Sequence, residues 1–288
     1  MSIPTWGRLV RFIATDNAQY CGEPVDPEID VGLAILAKQE VLVKVLDTKS
    51  ALDIPASFTG EVKTIKELLS PVSAQEVGTI RCIGLNYKDH AAELNFSLPE
   101  NPDLFMKPAS TLNSPTAPIL IPSAAAEGAD GEVELALVIS KDCKNVTSAE
   151  ALDYVLGHMT ANDVTSRGLQ PRTSQWGYCK GFDGFCPVVP TLVSTKNIPD
   201  PSVLLLKTVL GGKTLQDGKT ENMIFSVAEI IAYLSVGTTI PKGTVILTGT
   251  PAGIGHSHKP PAYLTEGADL RVWISHGLGT LVNSIALE

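Results

Sequence analysis

The stretch DGEVELALVISKDCKNVTSAEALDYVLGHMTANDVTSR, residues 130–167, decides how this chain reads. After Glu134 the segment EVELALVIS runs apolar without alternation, the pattern of a strand covered on both faces. Side chains two apart on a strand share a face, so Glu132 and Glu134 point the same way. Two like charges that close, beside apolar residues, raise one another's pKa or destabilise the fold unless a cation lies between them. Asp163, after the apolar YVLGHMTA and before the polar VTSRGLQ, offers a third carboxylate. Three oxygen donors suit a hard divalent ion such as Mg2+, Ca2+ or Mn2+. An E-x-E pair by itself is ordinary on solvated strand faces. The covered strand is what makes this one a candidate metal site, because buried carboxylates are rarely left unpaired.

Downstream, TSAEALDY starts a helix capped by Thr147 or Ser148, and a strand then runs to Asp163 with His158 as a buried structural histidine. In WGYCKGFDGFCPVVPTLV, Lys180 sits among aromatics and glycines and can serve as a fixed cation for a carboxylate substrate. VLGGKTLQ is a hairpin turning on Gly-Gly. FSVAEIIAYLSVGTTI is an amphipathic helix capped near Ser226, its stripe of Val227, Ile230, Ile231 and Leu234 facing the core. GTVILTGTPAGIG is a buried strand breaking into a Gly-rich loop. The loop's N–H groups and the hydroxyls of Thr248 and Thr250 could hold an anionic oxygen, although the glycine spacing is not a dinucleotide fingerprint.

Upstream, TIRCIGLNY is a buried strand leading into DHAAELN, one or two helical turns on which His90 and Glu93 share a face. A histidine beside a carboxylate is a general-base pair in outline. The Pro/Asn/Ser-rich segment that follows has the composition of a mobile lid. The first 72 residues read as a small antiparallel module built from GRLVRFIA, VGLAILA and EVLVKVLD, with TIKELL as a short helix before Pro71. The expected division is residues 1–72 as this module and 73–288 as the catalytic domain. The fold class is α+β, mainly β, with the sheet rolled on itself.

A chain of 288 residues can bury a substantial core, and its net charge of -9 disfavours nucleic acid or an anionic membrane surface as partner. Five scattered cysteines point to free thiols, and the absence of an apolar leader or spanning run points to the cytoplasm.

The ordered set GLNYKDHAAELN, FMKPAS, EVELALVI, ANDVTSRGLQ, KGFD, TGTPAGIG and LGTLVN resembles the fumarylacetoacetate hydrolase family from about Ile80 to the C-terminus. The resemblance implies a homodimeric mixed β-roll with Mg2+ or Mn2+ on Glu132, Glu134 and Asp163. By the same match, Lys180 and Thr250 would contact substrate carboxylate or keto oxygens, His90 with Glu93 would form a lid dyad, and Arg167 and Gln170 would line the pocket. Gly168 departs from the family's usual Asp in A-R-D-L-Q, which bears on the substrate-side wall.

The chemistry expected of such a site begins with a 2-keto acid chelating the metal, which stabilises the enolate formed when the neighbouring bond breaks. Water activated by His90 gives hydrolysis of an acylpyruvate-like 2,4-diketo acid, the first expectation. Decarboxylation of oxaloacetate or a related β-keto acid is the second and isomerisation the third. A non-catalytic dicarboxylate binder is the reading from another class.

Overall fold

The computed structural model describes residues 4–288 and places the Val133–Ile139 strand, buried along its whole length, inside a ten-stranded sheet. The strand is apolar throughout because each face meets a different core. Leu135, Leu137 and Ile139 pack into one hydrophobic cluster, Ala136 and Val138 into another. Its neighbours are Val155–Asn162 and Val245–Leu247, both antiparallel to it, and the latter runs parallel to Thr79–Ile83.

Opposite lies a five-stranded sheet that includes Leu205–Leu210, Lys213–Lys219, Asp269–Ile274 and Gly279–Leu287. Leu206, Val272 and Leu281 from this sheet share a cluster with Leu135 and Leu137, so one core lies between the two sheets. The result is the mainly β, α+β roll. Gly211 and Gly212 turn the first hairpin with φ of 56° and 79°, a backbone twist that matches the strands and that residues with a Cβ rarely adopt. The Val227–Ser235 helix begins at Ser226, whose side chain accepts from the Glu229 N–H in a capping box, and its Val227, Ile230, Ile231 and Leu234 stripe is buried.

The N-terminal region corrects two expectations. VGLAILA is not a strand: Val31–Leu36 is a helix capped by Asp30, whose carboxylate also binds Thr280 N–H and Oγ1. Its apolar residues follow a helical spacing, with Val31 and Ala34 buried. TIKELL is not a helix: it belongs to the Phe58–Leu69 strand. Ile13 pairs with Glu67 and Ala14 with Ile65, so Lys66 is bulged out. The bulge brings Ile65 and Leu68, three apart, into the same core and imitates a helical period. Arg8–Ala14, Gln19–Pro24, Leu42–Leu46 and Phe58–Leu69 pair in a closed circuit, and Arg8 and Leu9 also pair with Val193 and Leu192, joining the circuit to the main sheet.

All five cysteines are free and buried. No helix among the described residues is long and apolar enough to cross a membrane. His158 is buried between Leu137 and Val193 of the flanking strands, and burial pulls its pKa from 6.5 down to about 4. Between those values the unfolded chain binds a proton that the folded chain refuses, so stability is lost as pH falls through this window. Relative to wild type, His158→Leu should therefore gain about 2 kcal/mol between pH 7 and pH 5, read from urea unfolding. An unchanged difference would remove His158 as a source of acid lability.

Candidate active site

Strand register assembles the carboxylates. Val133 pairs with Asn162 and Glu134 with Ala161, so Asp163, one residue past the strand, comes level with Glu132 and donates its N–H to the Glu132 carbonyl at 2.9 Å. Ligand oxygens of buried Glu132, Glu134 and Asp163 then lie within 4.8 Å of one another.

Three buried cations hold this cluster. Lys180 Nζ donates to Glu132 Oε2 at 2.9 Å, to Asp163 Oδ2 at 2.6 Å and to Thr165 Oγ1 at 2.6 Å. Arg167 reaches Asp130 Oδ2 at 2.9 Å, Glu132 Oε1 at 2.6 Å and Gln170 Oε1 at 3.0 Å. Lys107 Nζ donates to Asp163 Oδ1 at 2.5 Å and to the Phe185 carbonyl at 2.7 Å. Four carboxylates, Asp130, Glu132, Glu134 and Asp163, thus face three cations, and the uncompensated charge falls on Glu134. Among the described residues Glu134 makes no ion pair, and it accepts one hydrogen bond, from the Gly249 N–H at 2.6 Å.

The two glutamates respond in opposite directions. Burial works against the charge on Glu132, but Lys180 and Arg167 more than offset it and hold the carboxyl down to about 2. Burial, with Asp163 and Glu132 adding repulsion, pushes Glu134 well above the usual carboxylate range. A buried, uncompensated carboxylate flanked by two others is a setting that a divalent cation fits, and the all-oxygen donor set favours Mg2+ or Mn2+ over softer metals.

The same site opens into a cavity of about 710 Å³ lined by His90, Glu132, Glu134, Asp163, Arg167, Gln170, Lys180 and Thr250. Glu93 stands behind His90, with Oε2 on His90 Nδ1 at 2.9 Å and Oε1 accepting from the Gly253 N–H at 2.9 Å. Burial opposes the charge on Glu93, but these hydrogen bonds hold its pKa below the ordinary value. A charged Glu93 accepts the Nδ1 proton, which leaves Nε2 as the basic nitrogen.

The hydroxyls of the Gly-rich loop are committed elsewhere. Thr248 is buried and donates to the Leu135 carbonyl at 2.9 Å, so it does not offer the anion contact expected of it. Thr250 lines the cavity, but its proton goes to the Val133 carbonyl at 2.8 Å, and it accepts from Gln216 Nε2 at 2.7 Å. Gly168 is not a cavity-lining gap either. A Cβ there would lie 2.7 Å from the Glu127 carbonyl oxygen, so the space is already filled by backbone.

Sequence reasoning passed over Lys107 and Asp130. Asp130 has the same parity as Glu132 and Glu134 and was open to the same period-two reading. It accepts from the Gly255 and His256 N–H groups as well as Arg167, which ties the Gly-rich loop to the carboxylate strand. Lys107 lies in FMKPAS and is fully buried, which its residue type alone does not suggest. Lys107→Met would strand Asp163 Oδ1 and the Phe185 carbonyl in the interior, and should cost about 3–5 kcal/mol of stability in urea unfolding. A loss below about 1 kcal/mol would mean that the pair is effectively solvated.

The fumarylacetoacetate (FAA) hydrolase C-terminal family model matches residues 79–286. The chain belongs to that family. It is 40% identical over 293 residues to the caffeoylpyruvate hydrolase of Neonothopanus nambi, covering 99% of this chain and 94% of that protein. Among solved structures, the 2-hydroxyhepta-2,4-diene-1,7-dioate isomerase from Mycobacterium marinum aligns with a TM-score of 0.79 at 31% identity, over 98% of each chain. The maleylpyruvate hydrolase from Sphingobium sp. SYK-6, in complex with manganese(II) ion and pyruvate, aligns with a TM-score of 0.65 at 26% identity, over 81% of this chain and 76% of the other. The proteins this chain resembles are thus named as hydrolases and as an isomerase, and the two solved structures share its fold.

Proposed function

We propose that this chain hydrolyses a C–C bond of an acylpyruvate-like 2,4-diketo acid, with Mg2+ or Mn2+ held by Glu132, Glu134 and Asp163. The observation that carries this reading is the meeting, in one cavity, of three buried carboxylates bearing an uncompensated charge and a His90–Glu93 pair whose Nε2 is free to act as base. The caffeoylpyruvate and maleylpyruvate hydrolases among its relatives support it. A bound ion would supply Lewis-acid polarisation of the substrate's 2-keto acid end.

The chain's own residues account for the remaining work. Lys180 and Arg167 hold the carboxylates of the cluster in place. Gln170, its Oε1 held by Arg167, presents its amide N–H groups as donors to substrate oxygens. His90 Nε2 removes a proton from water as its oxygen bonds to the acyl carbonyl, and Glu93 supports the imidazolium. The C–C bond then breaks with its electron pair on the pyruvate fragment. His90 returns the proton to that carbon, and the products are a carboxylic acid and pyruvate. The isomerase neighbour favours a second reading in which the site moves a proton and no water attacks.

The test is a panel of 2-keto and 2,4-diketo acids assayed for pyruvate release with Mg2+, with Mn2+ and after chelation. Metal-dependent pyruvate release from an acylpyruvate is expected. Full activity after chelation, or turnover confined to tautomerisation or decarboxylation, would overturn the hydrolase reading.

A further inference from the structure

We propose that Asp130 is a positioning residue for the reaction, which aligns the His90–Glu93 pair with the carboxylate cluster by clamping the turn at residues 253–256. The proposal rests on the hydrolase reading above and adds what holds the base in place.

The two halves of the site belong to different elements. The carboxylates gather at one end of the Val133–Ile139 and Val155–Asn162 strand pair, whereas His90 and Glu93 are carried by the Lys88–Glu93 helix. Among the described residues, no hydrogen bond joins the side chain of His90 or Glu93 directly to Glu132, Glu134, Asp163, Arg167 or Lys180. Their alignment therefore has to be transmitted. A base displaced by about 1 Å from the water it activates can lose on the order of 10²-fold in rate.

Asp130 supplies the connection. It is buried, and its two oxygens accept four N–H groups. Oδ1 takes those of Gly131 and Gly255, each at 2.9 Å, and Oδ2 takes Arg167 Nε at 2.9 Å and the His256 N–H at 3.0 Å. On one side, Arg167 continues to Glu132 Oε1 at 2.6 Å. On the other, Gly253 donates its N–H to Glu93 Oε1 at 2.9 Å, and Glu93 Oε2 holds His90 Nδ1 at 2.9 Å. One short path thus runs from the cluster through Asp130 and the turn to the base.

The turn cannot shift without Asp130. A Cβ on Gly255 would lie 2.5 Å from Asp130 Oδ1, and the Gly255 carbonyl accepts from the Ala262 N–H at 2.9 Å, so the backbone is gripped on both sides. The side chain also has to be ionised. A carboxylate accepts at both oxygens, whereas a carboxamide accepts at one and turns donors toward the remaining N–H groups.

The experiment is a double-mutant cycle on the full chain at saturating Mg2+, with metal binding checked by calorimetry. Asp130→Asn breaks the clamp, and Asp130→Glu keeps the charge while displacing the carboxylate by one methylene; either variant, if folded, gives the answer. Each should lower kcat for acylpyruvate hydrolysis by about 10- to 100-fold and change KM by less than about threefold. In a Glu93→Ala background the same substitutions should cost less than about threefold, because the path to His90 is already cut. The 15N spectrum of the His90 ring, assigned against His90→Ala, should show the Nδ1-protonated tautomer in wild type and a mixture in the Asp130 variants. Losses that multiply in full in the Glu93→Ala background, or an unaltered His90 tautomer, would overturn the proposal. Loss of the fold in both variants would make Asp130 structural and overturn it as well. A tautomer that depends on Asp130 in a wild type that releases no pyruvate would instead sink the hydrolase reading and leave the clamp standing.

Discussion

Replacing Glu134 with glutamine should lower turnover by on the order of 10³-fold or more and, in the same protein, stabilise the metal-free fold. The two effects share one cause. Glu134 is the carboxylate of the cluster with no lysine or arginine partner, and its charge is tolerated in the interior only if an added cation offsets it. Glutamine keeps the shape and can still accept from the Gly249 N–H, but it brings no charge to a metal. The pH dependence has a definite sign. Between the ordinary carboxylate value of 4.5 and its raised folded value, folded Glu134 keeps a proton that the unfolded chain has released. Stability from this group is therefore present at low pH and lost as pH rises through the folded value. In chelator-treated samples the melting temperature of Glu134→Gln should exceed that of wild type by more at pH 8 than at pH 5. Adding Mg2+ or Mn2+ should raise the wild-type melting temperature and leave the variant nearly unmoved. A variant that still responds to the ion, or wild type that does not, would show that Glu134 is not a ligand.

His90→Ala should lower acylpyruvate hydrolysis by about 10²- to 10⁴-fold, the usual contribution of a positioned general base. Oxaloacetate decarboxylation, if the chain performs it, should fall much less. Cleavage with loss of CO2 needs the developing enolate to be stabilised but no water to be deprotonated, so the imidazole has little part in that bond breaking. Glu93→Gln should follow the same pattern more mildly, because it keeps the 2.9 Å contact geometry while losing the charge that supports the imidazolium. Both reactions would be followed on the same metal-loaded preparations, so that metal content cannot imitate the effect. Equal losses in the two reactions would make His90 a positioning residue or part of a lid, and would remove it as the water-activating base.

Local periodicity made much of this protein legible. The unalternating run after Glu134 marked a strand covered on both faces. Ser226 and the Val227, Ile230, Ile231 and Leu234 spacing marked a helix, and Gly211-Gly212 marked a hairpin, because each depends on backbone geometry within a few residues. Glu132 and Glu134 could be paired from the same period-two rule, and His90 with Glu93 from the helical one. The same rules failed where a neighbour changed the local geometry. TIKELL carried a helical spacing that a bulge at Lys66 produced, and VGLAILA was a strand by composition until Asp30 capped it against Thr280.

Sequence by itself determined which residues carry carboxylates at one end of a covered strand, and with them the chemistry open to the site. Tertiary structure alone decided how their charges balance. Lys107 and Lys180 converge on Asp163 from 56 and 17 residues away, Arg167 links Asp130 with Glu132, and Glu134 is left with a single backbone N–H. Charge interactions in a dry interior depend on distances of a few ångströms between segments far apart in the chain, and no local period encodes them.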